Sequence, residues 1–410
     1  MYNTPRSRHQ GRRRRKFNRR IRSLVSVLIV LAAVFFVLWR FTGIFSGIGS
    51  GQNSASSGEP LPQTEPSISS QPTPAEEEEF KTVSIMAVGD NLLHTSVYES
   101  GQQPDGSYDY HEIYADLSEH IASYDLACIN QETMFIADKN KYSSYPCFGS
   151  PTDMADTLAD VGFDIVTHAT NHSYDKKIQG ITDTINEWKQ HPEVTYLGIH
   201  DSQEDADRIR VVEKNGIRLA LLNYTYGLNG FTAKEKYMVD LLDDKEKIGD
   251  DIRRAKEISD MVIVFAHWGA ENTYSPNSFQ KDWGQFFADN GVGVVVGCHP
   301  HVVQPYEMIT GKDGNQTLVY WSLGNFVSHM SKSRNMLCGM ASFVIQKDSS
   351  GTSVFTYTMT PLVTYMKKET VGESYRVVLL DNYTPEMAAN HVIEGTSVDA
   401  MRELYNKVVN

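Results

Sequence analysis

Cysteine is scarce. There are four in 410 residues, at positions 128, 147, 298 and 338, and none falls in a C-x-x-C spacing. That excludes a disulfide-built scaffold and makes a structural zinc knuckle untenable. No repeat of solenoid period runs through the chain. Acid is missing from residues 1–22, which carry ten Lys and Arg, and residues 46–79 contain no Lys, Arg or aromatic side chain. The formal charge of −13 is therefore uneven: without the first 22 residues, 28 basic groups face 51 acidic ones. Such a surface repels polyanions and excludes nucleic acid as a partner of the main body. A composition of 40% hydrophobic and 22% charged residues excludes both a polytopic membrane protein and a wholly disordered chain.

What is present begins at the amino terminus. Ser23 to Trp39 runs without a charge, and the apolar character resumes after Arg40 as FTGIF. Residues 23–45 thus predict one helical membrane span, which needs roughly 20 mainly apolar residues. The basic segment 1–22 before it, with its RRRRK run, orients the amino terminus toward the cytoplasm and the rest of the chain outside. A cleavable signal peptide is the competing reading, but the stretch exceeds its usual ~7–15 residue core and no small-x-small site follows. Ser, Gly, Pro and Glu fill 23 of the 34 positions from 46 to 79, so this segment reads as a disordered linker.

From Phe80 onward, short apolar runs alternate with amphipathic stretches. VSIMAV (83–88), LACI (126–129), FDIVT (163–167), RLALLNY (218–224), MVIVFA (261–266), VGVVV (292–296) and LVYWS (318–322) predict buried strands. Residues 180–190, 243–259 and 277–290 predict helices. This alternation predicts an α/β fold over 80–345. Residues 346–410, with further strand-like runs and a helix near 398–409, are expected to form an extension packed on the same domain.

Polar side chains gather where these strands stop: Gly89-Asp90-Asn91 with His94, Asn130-Gln131-Glu132, His168 to His172, His267-Trp268-Gly269-Ala270-Glu271, Gly297-Cys298-His299-Pro300-His301, and Ser322 to Phe326. In open α/β sheets ligands bind at the carboxyl ends of strands, so segments distant in sequence can share one site. Carboxylates, an Asn carbonyl and several imidazoles suit Mn, Fe or Zn, whereas Ca asks for oxygen alone. Pro300 predicts an extended loop that aims His299 and His301 at neighbouring metal positions. Cys298 beside His299 could be a nucleophile, but small buried packing is the commoner role of such a thiol.

The motifs GDNLLH, INQET, TNHSYDKKIQG, FAHWGAEN, GCHPHVVQP and SLGNF resemble those of the CapA-type capsule (poly-gamma-glutamate) synthesis proteins, of the calcineurin-like metallophosphatase superfamily, over Val83 to Phe326. The resemblance implies a four-layer αββα sandwich with a metal centre of one or two divalent ions at its edge. By the same resemblance Asp90, Glu132, Asn171, His267, His299 and His301 are metal ligands, Glu132 is the bridging carboxylate, and His172 is the catalytic acid. His94, Trp268, Glu271 and Asn325 are candidates for substrate contact or support of the ligands. Two departures stand out: Leu92 occupies the place of the usual His two residues after the first Asp, with His94 a candidate replacement, and Asn130-Gln131-Glu132 replaces the usual Gly-Asp-x-x-Asp.

Two functions are compatible with these residues. One is a membrane-anchored, extracytoplasmic metal-dependent hydrolase, cutting a phosphoester or amide bond of an anionic cell-surface polymer or its precursor. The other is a non-catalytic scaffold or binding subunit of a capsule synthesis or export complex. The acidic body works against passive binding of a polyanion, which favours the first.

Overall fold

The computed structural model describes residues 80–409. The segments read as a membrane span and a linker lie outside them; among the described residues no helix is long and apolar enough to cross a membrane.

Fourteen strands in these residues form two mixed sheets. The first contains β1 (Lys81–Asn91), β2 (Leu126–Gln131), β3 (Ile165–Thr167), β4 (Thr195–Leu197), β12 (Leu337–Asp348), β13 (Gly351–Lys368) and β14 (Glu373–Leu379) in the order β14-β13-β12-β1-β2-β3-β4, with β11 (Asn325–Val327) paired to β1. The second contains β5 (Arg210–Lys214), β6 (Ile217–Thr225), β7 (Met261–His267), β8 (Val294–Cys298), β9 (Tyr306–Thr310) and β10 (Gln316–Tyr320) in the order β5-β6-β7-β8-β10-β9.

The two-residue period of the strands builds the layers. Along β1, Val83, Ile85 and Ala87 face a core shared with Leu219, Leu221, Ile263, Phe265 and Val296 of the other sheet. The intervening Met86 and Val88 face the opposite way, into a second core with Ile113, Met154 and Leu158 from short helices. In the second sheet Leu222, Val262, Val264 and Val295 pack outward against Ile248 and Ile252 of helix Lys245–Ile258 and Trp283 and Phe287 of helix Ser278–Asp289. The result is helix, sheet, sheet, helix. Asn277 closes a capping box at the start of the latter helix, and Asp244 accepts from two backbone amides at the start of the former.

The expected α/β alternation is present, and the seven predicted strands and three predicted helices all appear within a few residues of their expected bounds. The boundary drawn at 345 falls inside β12, whose Ile345 pairs with Val83 of β1. Residues after 345 thus continue the first sheet through β13 and β14, and Met401 and Tyr405 of the last helix join the core between the sheets.

Candidate metal centre

Strands β1, β2 and β3 run parallel, as do β6, β7 and β8, so each set delivers its carboxyl ends to one edge. At that edge the ladder of β1 is irregular. Asp90 pairs across to Asn325 of β11 and to Asn130 of β2, with register shifts on either side of it. Such irregularities redirect a side chain. Gly89 makes the approach possible: any Cβ there would overlap the Gly324 carbonyl, which accepts from the Asp90 amide at 2.9 Å.

Asp90, Glu132, Asn171, His267, His299 and His301 come together there, all buried. Glu132, His267 and His299 form one group whose ligand atoms lie within 4.8 Å of one another; Asp90, Glu132 and His301 form a second. Glu132 belongs to both. His267 Nε2 lies 3.7 Å from Glu132 Oε1 and His301 Nδ1 lies 3.9 Å from Glu132 Oε2. Neither carboxylate oxygen of Glu132 has a hydrogen-bond partner, nor does His299 Nδ1. Buried polar atoms are nearly always paired, so three orphans converging here fit a site built for cations. His267 Nε2 lies 2.8 Å from Asn171 Oδ1, which adds an amide oxygen to the first group. Mixed oxygen and imidazole donors fit a divalent ion.

Electrostatics agree with that fit. Burial drives the Glu132 carboxyl well above its ordinary range, and the neighbouring Asp90 charge adds to this. Burial likewise pushes His267 and His299 well below the usual imidazole value, helped by the other histidines. His301 is the exception: burial opposes its charge, but Glu132 and Asp90 lift it to about 10. Asp90 and Glu132 thus place two carboxylates in one buried site, an arrangement that a divalent cation would stabilise.

The loop that carries the two histidines differs from the extended form expected. Both His299 (φ 97°) and His301 (φ 57°) occupy the left-handed region. Pro300 does forbid a helix, but the chain must turn sharply after β8 to present the two rings to different groups. Strained backbone of this kind, at a cost of order 1–3 kcal/mol each, persists where the surroundings enforce it. Tyr226 packs on His299 at 4.6 Å between ring centroids, and Asn325 Oδ1 accepts from His301 Nδ1 at 2.9 Å.

His172 stands beside the centre rather than in either group. Its Nδ1 donates to Asp175 Oδ2 at 2.7 Å, the same oxygen accepts from the Phe148 amide, and the Phe148 ring packs edge-on at 4.7 Å. Asn229 reaches both Asn171 and His172. Asn130, named from the sequence only as part of the polar cluster after the second strand, donates to Asp90 Oδ1 at 2.7 Å, whereas Asp175 and Asn229 were given no role there. Of these only Asp175 left a signal, in its His-x-x-Asp spacing from His172.

The four supporting candidates separate. Asn325 orients His301. His94 is partly buried, packs edge-on with Phe148 at 5.2 Å, and is lowered to about 4 by burial; it is in neither ligand group. Glu271 is exposed, and its charge is felt at Glu132 and His301. Trp268 points away into the outer core, donating to the Trp321 carbonyl and stacking on its ring, because it follows His267 by one residue and so takes the opposite face. His168 accepts from the Trp188 indole at 2.7 Å and is a packing residue. All four cysteines are free; Cys298 is buried, and burial raises its thiol far above the reactive range.

This is a two-sheet α/β protein with a buried carboxylate and imidazole centre at one sheet edge, in keeping with the resemblance carried by its motifs. Residues 84–330 match the bacterial capsule synthesis protein PGA_cap family, and the chain belongs to that family. It is 28% identical over 274 residues to the PGA biosynthesis protein CapA of Bacillus subtilis (strain 168), a match covering 66% of this chain and 69% of that one. It is 26% identical over 263 residues to the capsule biosynthesis protein CapA of Bacillus anthracis, covering 62% of each, less than two thirds of that relative's length. Among solved structures, the calcineurin-like phosphoesterase YfkN from Bacillus subtilis is similar at 11% identity with a TM-score of 0.40, over 80% of this chain and 97% of that one. That likeness is too distant to bear on activity.

Proposed function

We propose that this protein is a metal-dependent hydrolase of capsule assembly, metallophosphatase-like in fold and held at the cell membrane by residues 23–45. It works outside the cytoplasm on a phosphoester or amide bond of an anionic surface polymer or its precursor. One observation carries this reading: Glu132 is fully buried, both its oxygens lack hydrogen bonds, and it stands between two groups of imidazole and carboxylate donors. A buried carboxylate without hydrogen bonds is costly in any fold unless it is paired or coordinates a metal. Family membership supplies the capsule setting.

Asp90, Glu132 and His301 would hold one divalent ion, and Glu132, His267, His299 and Asn171 the other. Bound ions supply Lewis acidity and lower the pKa of water toward ~7. The chain's own residues do the rest. Asn130 fixes the Asp90 carboxylate, and Asn325 holds the His301 ring in metal-free protein. Asp175 accepts a hydrogen bond from His172 Nδ1–H and stabilises the doubly protonated ring, which delivers its Nε2 proton to the leaving group. Phe148 covers one edge of that ring against water.

The test is metal analysis and turnover on full-length protein prepared with Mn, Fe or Zn, against phosphoesters and gamma-glutamyl peptides. Metal is expected at substoichiometric level or better, with hydrolysis of one class. His172→Ala should keep the metal and lose roughly 10²–10⁴ in turnover. Absence of metal removes the ligand assignment. Bound metal with no turnover on either class would instead favour a scaffold in a synthesis or export complex.

A further inference from the structure

The two donor groups of the centre are supported differently. Beside Asp90, Glu132 and His301 the supports come from inside the fold: Asn130 donates to Asp90 at 2.7 Å, Asn325 lies against His301 at 2.9 Å, and both side chains are buried. Beside Glu132, His267, His299 and Asn171 they come from one surface turn. It follows β6, running from residue 226 to residue 230, and its supporting residues Tyr226 and Asn229 are both exposed. Tyr226 packs its ring on His299 at 4.6 Å, and Asn229 Oδ1 accepts from Asn171 Nδ2 at 3.2 Å.

The turn is fixed at both ends and in its middle. The Tyr226 amide donates to the His267 carbonyl at the end of β7 at 2.9 Å, and the Phe231 amide closes on the Leu228 carbonyl at 2.8 Å. Leu228 is buried among Met134, Ala169 and Ile181 and anchors the turn from below. Asn229 takes a left-handed backbone (φ 50°), which Asn tolerates better than most residues. Its contact with Asn171 decides what that amide can do. A carboxamide binds a cation through its oxygen only, because its nitrogen carries two N–H donors. With Nδ2 held by Asn229, Asn171 Oδ1 faces His267 Nε2, 2.8 Å away. Without that acceptor, a half-turn of the amide would bring N–H to the ligand group. Water competes for the exposed Asn229 carbonyl, whereas the buried Asn130 and Asn325 are shielded from it.

We infer that Tyr226 and Asn229 are positioning residues for one of the two ions alone: their turn governs occupancy of the position formed by Glu132, His267, His299 and Asn171. The position formed by Asp90, Glu132 and His301 is left to the buried supports. The inference rests on the metal-centre reading and adds to it that the two ions are unequal. One is exchangeable beside a solvent-facing turn, and the other is held from within the fold.

The experiment is equilibrium dialysis of Mn against full-length protein in detergent, with electron paramagnetic resonance of the dialysed samples. Native protein should show two Mn sites and the signal of a spin-coupled pair. Asn229→Gly suits the left-handed backbone and removes only the amide. It should weaken one site by about 10–100-fold, the usual cost of losing a residue behind a ligand. At Mn sufficient for the tighter site alone, the coupled signal should give way to that of an isolated ion. Asn229→Asp keeps an acceptor oxygen and should restore the coupling. Tyr226→Phe keeps the ring and should match native protein, whereas Tyr226→Ala should resemble Asn229→Gly. Two unchanged sites in both Asn229→Gly and Tyr226→Ala, or equal weakening of both sites, overturns the inference and leaves the ligand assignment standing. Native protein that binds no Mn overturns the ligand assignment and this inference together, so the two failures are told apart without any measurement of turnover.

Discussion

Glu132 illustrates how a single side chain can work against a fold that keeps it. In metal-free protein its carboxylate is buried without a hydrogen bond, a state that costs about 1–3 kcal/mol or more. Glu132→Gln should therefore leave the chelator-treated protein at least as stable as the native one, while removing most of the rise in Tm that Mn or Zn gives the native protein. A ligand at 100 times its Kd contributes about 2.7 kcal/mol, so thermal melts with and without metal read the difference directly. His200 makes a second residue-scale case away from the centre. It donates to Asp205 Oδ2 at 3.2 Å and to Asp240 Oδ2 at 2.8 Å; burial opposes its charge, but the two carboxylates raise it to about 9. A raised imidazole contributes stability that is fully present below the unfolded value near 6.5 and is lost as pH rises through about 9. Denaturation midpoints should fall between pH 6.5 and 9, and His200→Gln should flatten that slope.

At the scale of elements, the site depends on how closely strands approach at the sheet edge. Gly89 lets β11 lie against the end of β1, which places Asn325 level with Asp90. Gly89→Ala should push β11 away and disturb the His301 support, costing about 1–3 kcal/mol as overpacking does. Metal affinity should fall in the same variant; native affinity in a destabilised protein would show that β11 is dispensable to the centre. The strands themselves were legible because each is a short apolar run, and the polar residues at their ends were legible because they interrupt those runs. Strands β4, β5, β9, β11 and β14 escaped the reading. They are short or partly exposed, and their pairing partners, not their own pattern, make them strands. The His299 and His301 backbone escaped for a related reason: nothing local announces a left-handed histidine, which only the surrounding packing can enforce.

For the whole molecule, the composition of residues 1–79 contrasts with that of residues 80–409. Residues 23–45 are read as the tie to the membrane, so the full chain should fractionate with membranes and a chain lacking residues 1–45 should not. Recovery of the native protein in the soluble fraction, beginning inside the linker, would indicate a cleaved signal instead. The acidic character of the body means that any polyanion must be met locally by cations, such as metal ions at the centre.

Strand and helix alternation, the charge imbalance between the two ends and the residue types of the centre follow from the sequence by itself, because each is written in a local pattern: a hydrophobic period, a run of one charge, a polar cluster after an apolar run. That Asn130 holds the Asp90 carboxylate, that Asn229 reaches both Asn171 and His172, and that His299 and His301 take left-handed backbone were decided only by tertiary structure. Those facts depend on the meeting of distant segments, such as those of Asp90 and His299, 209 residues apart. No periodicity along the chain encodes a distance across it.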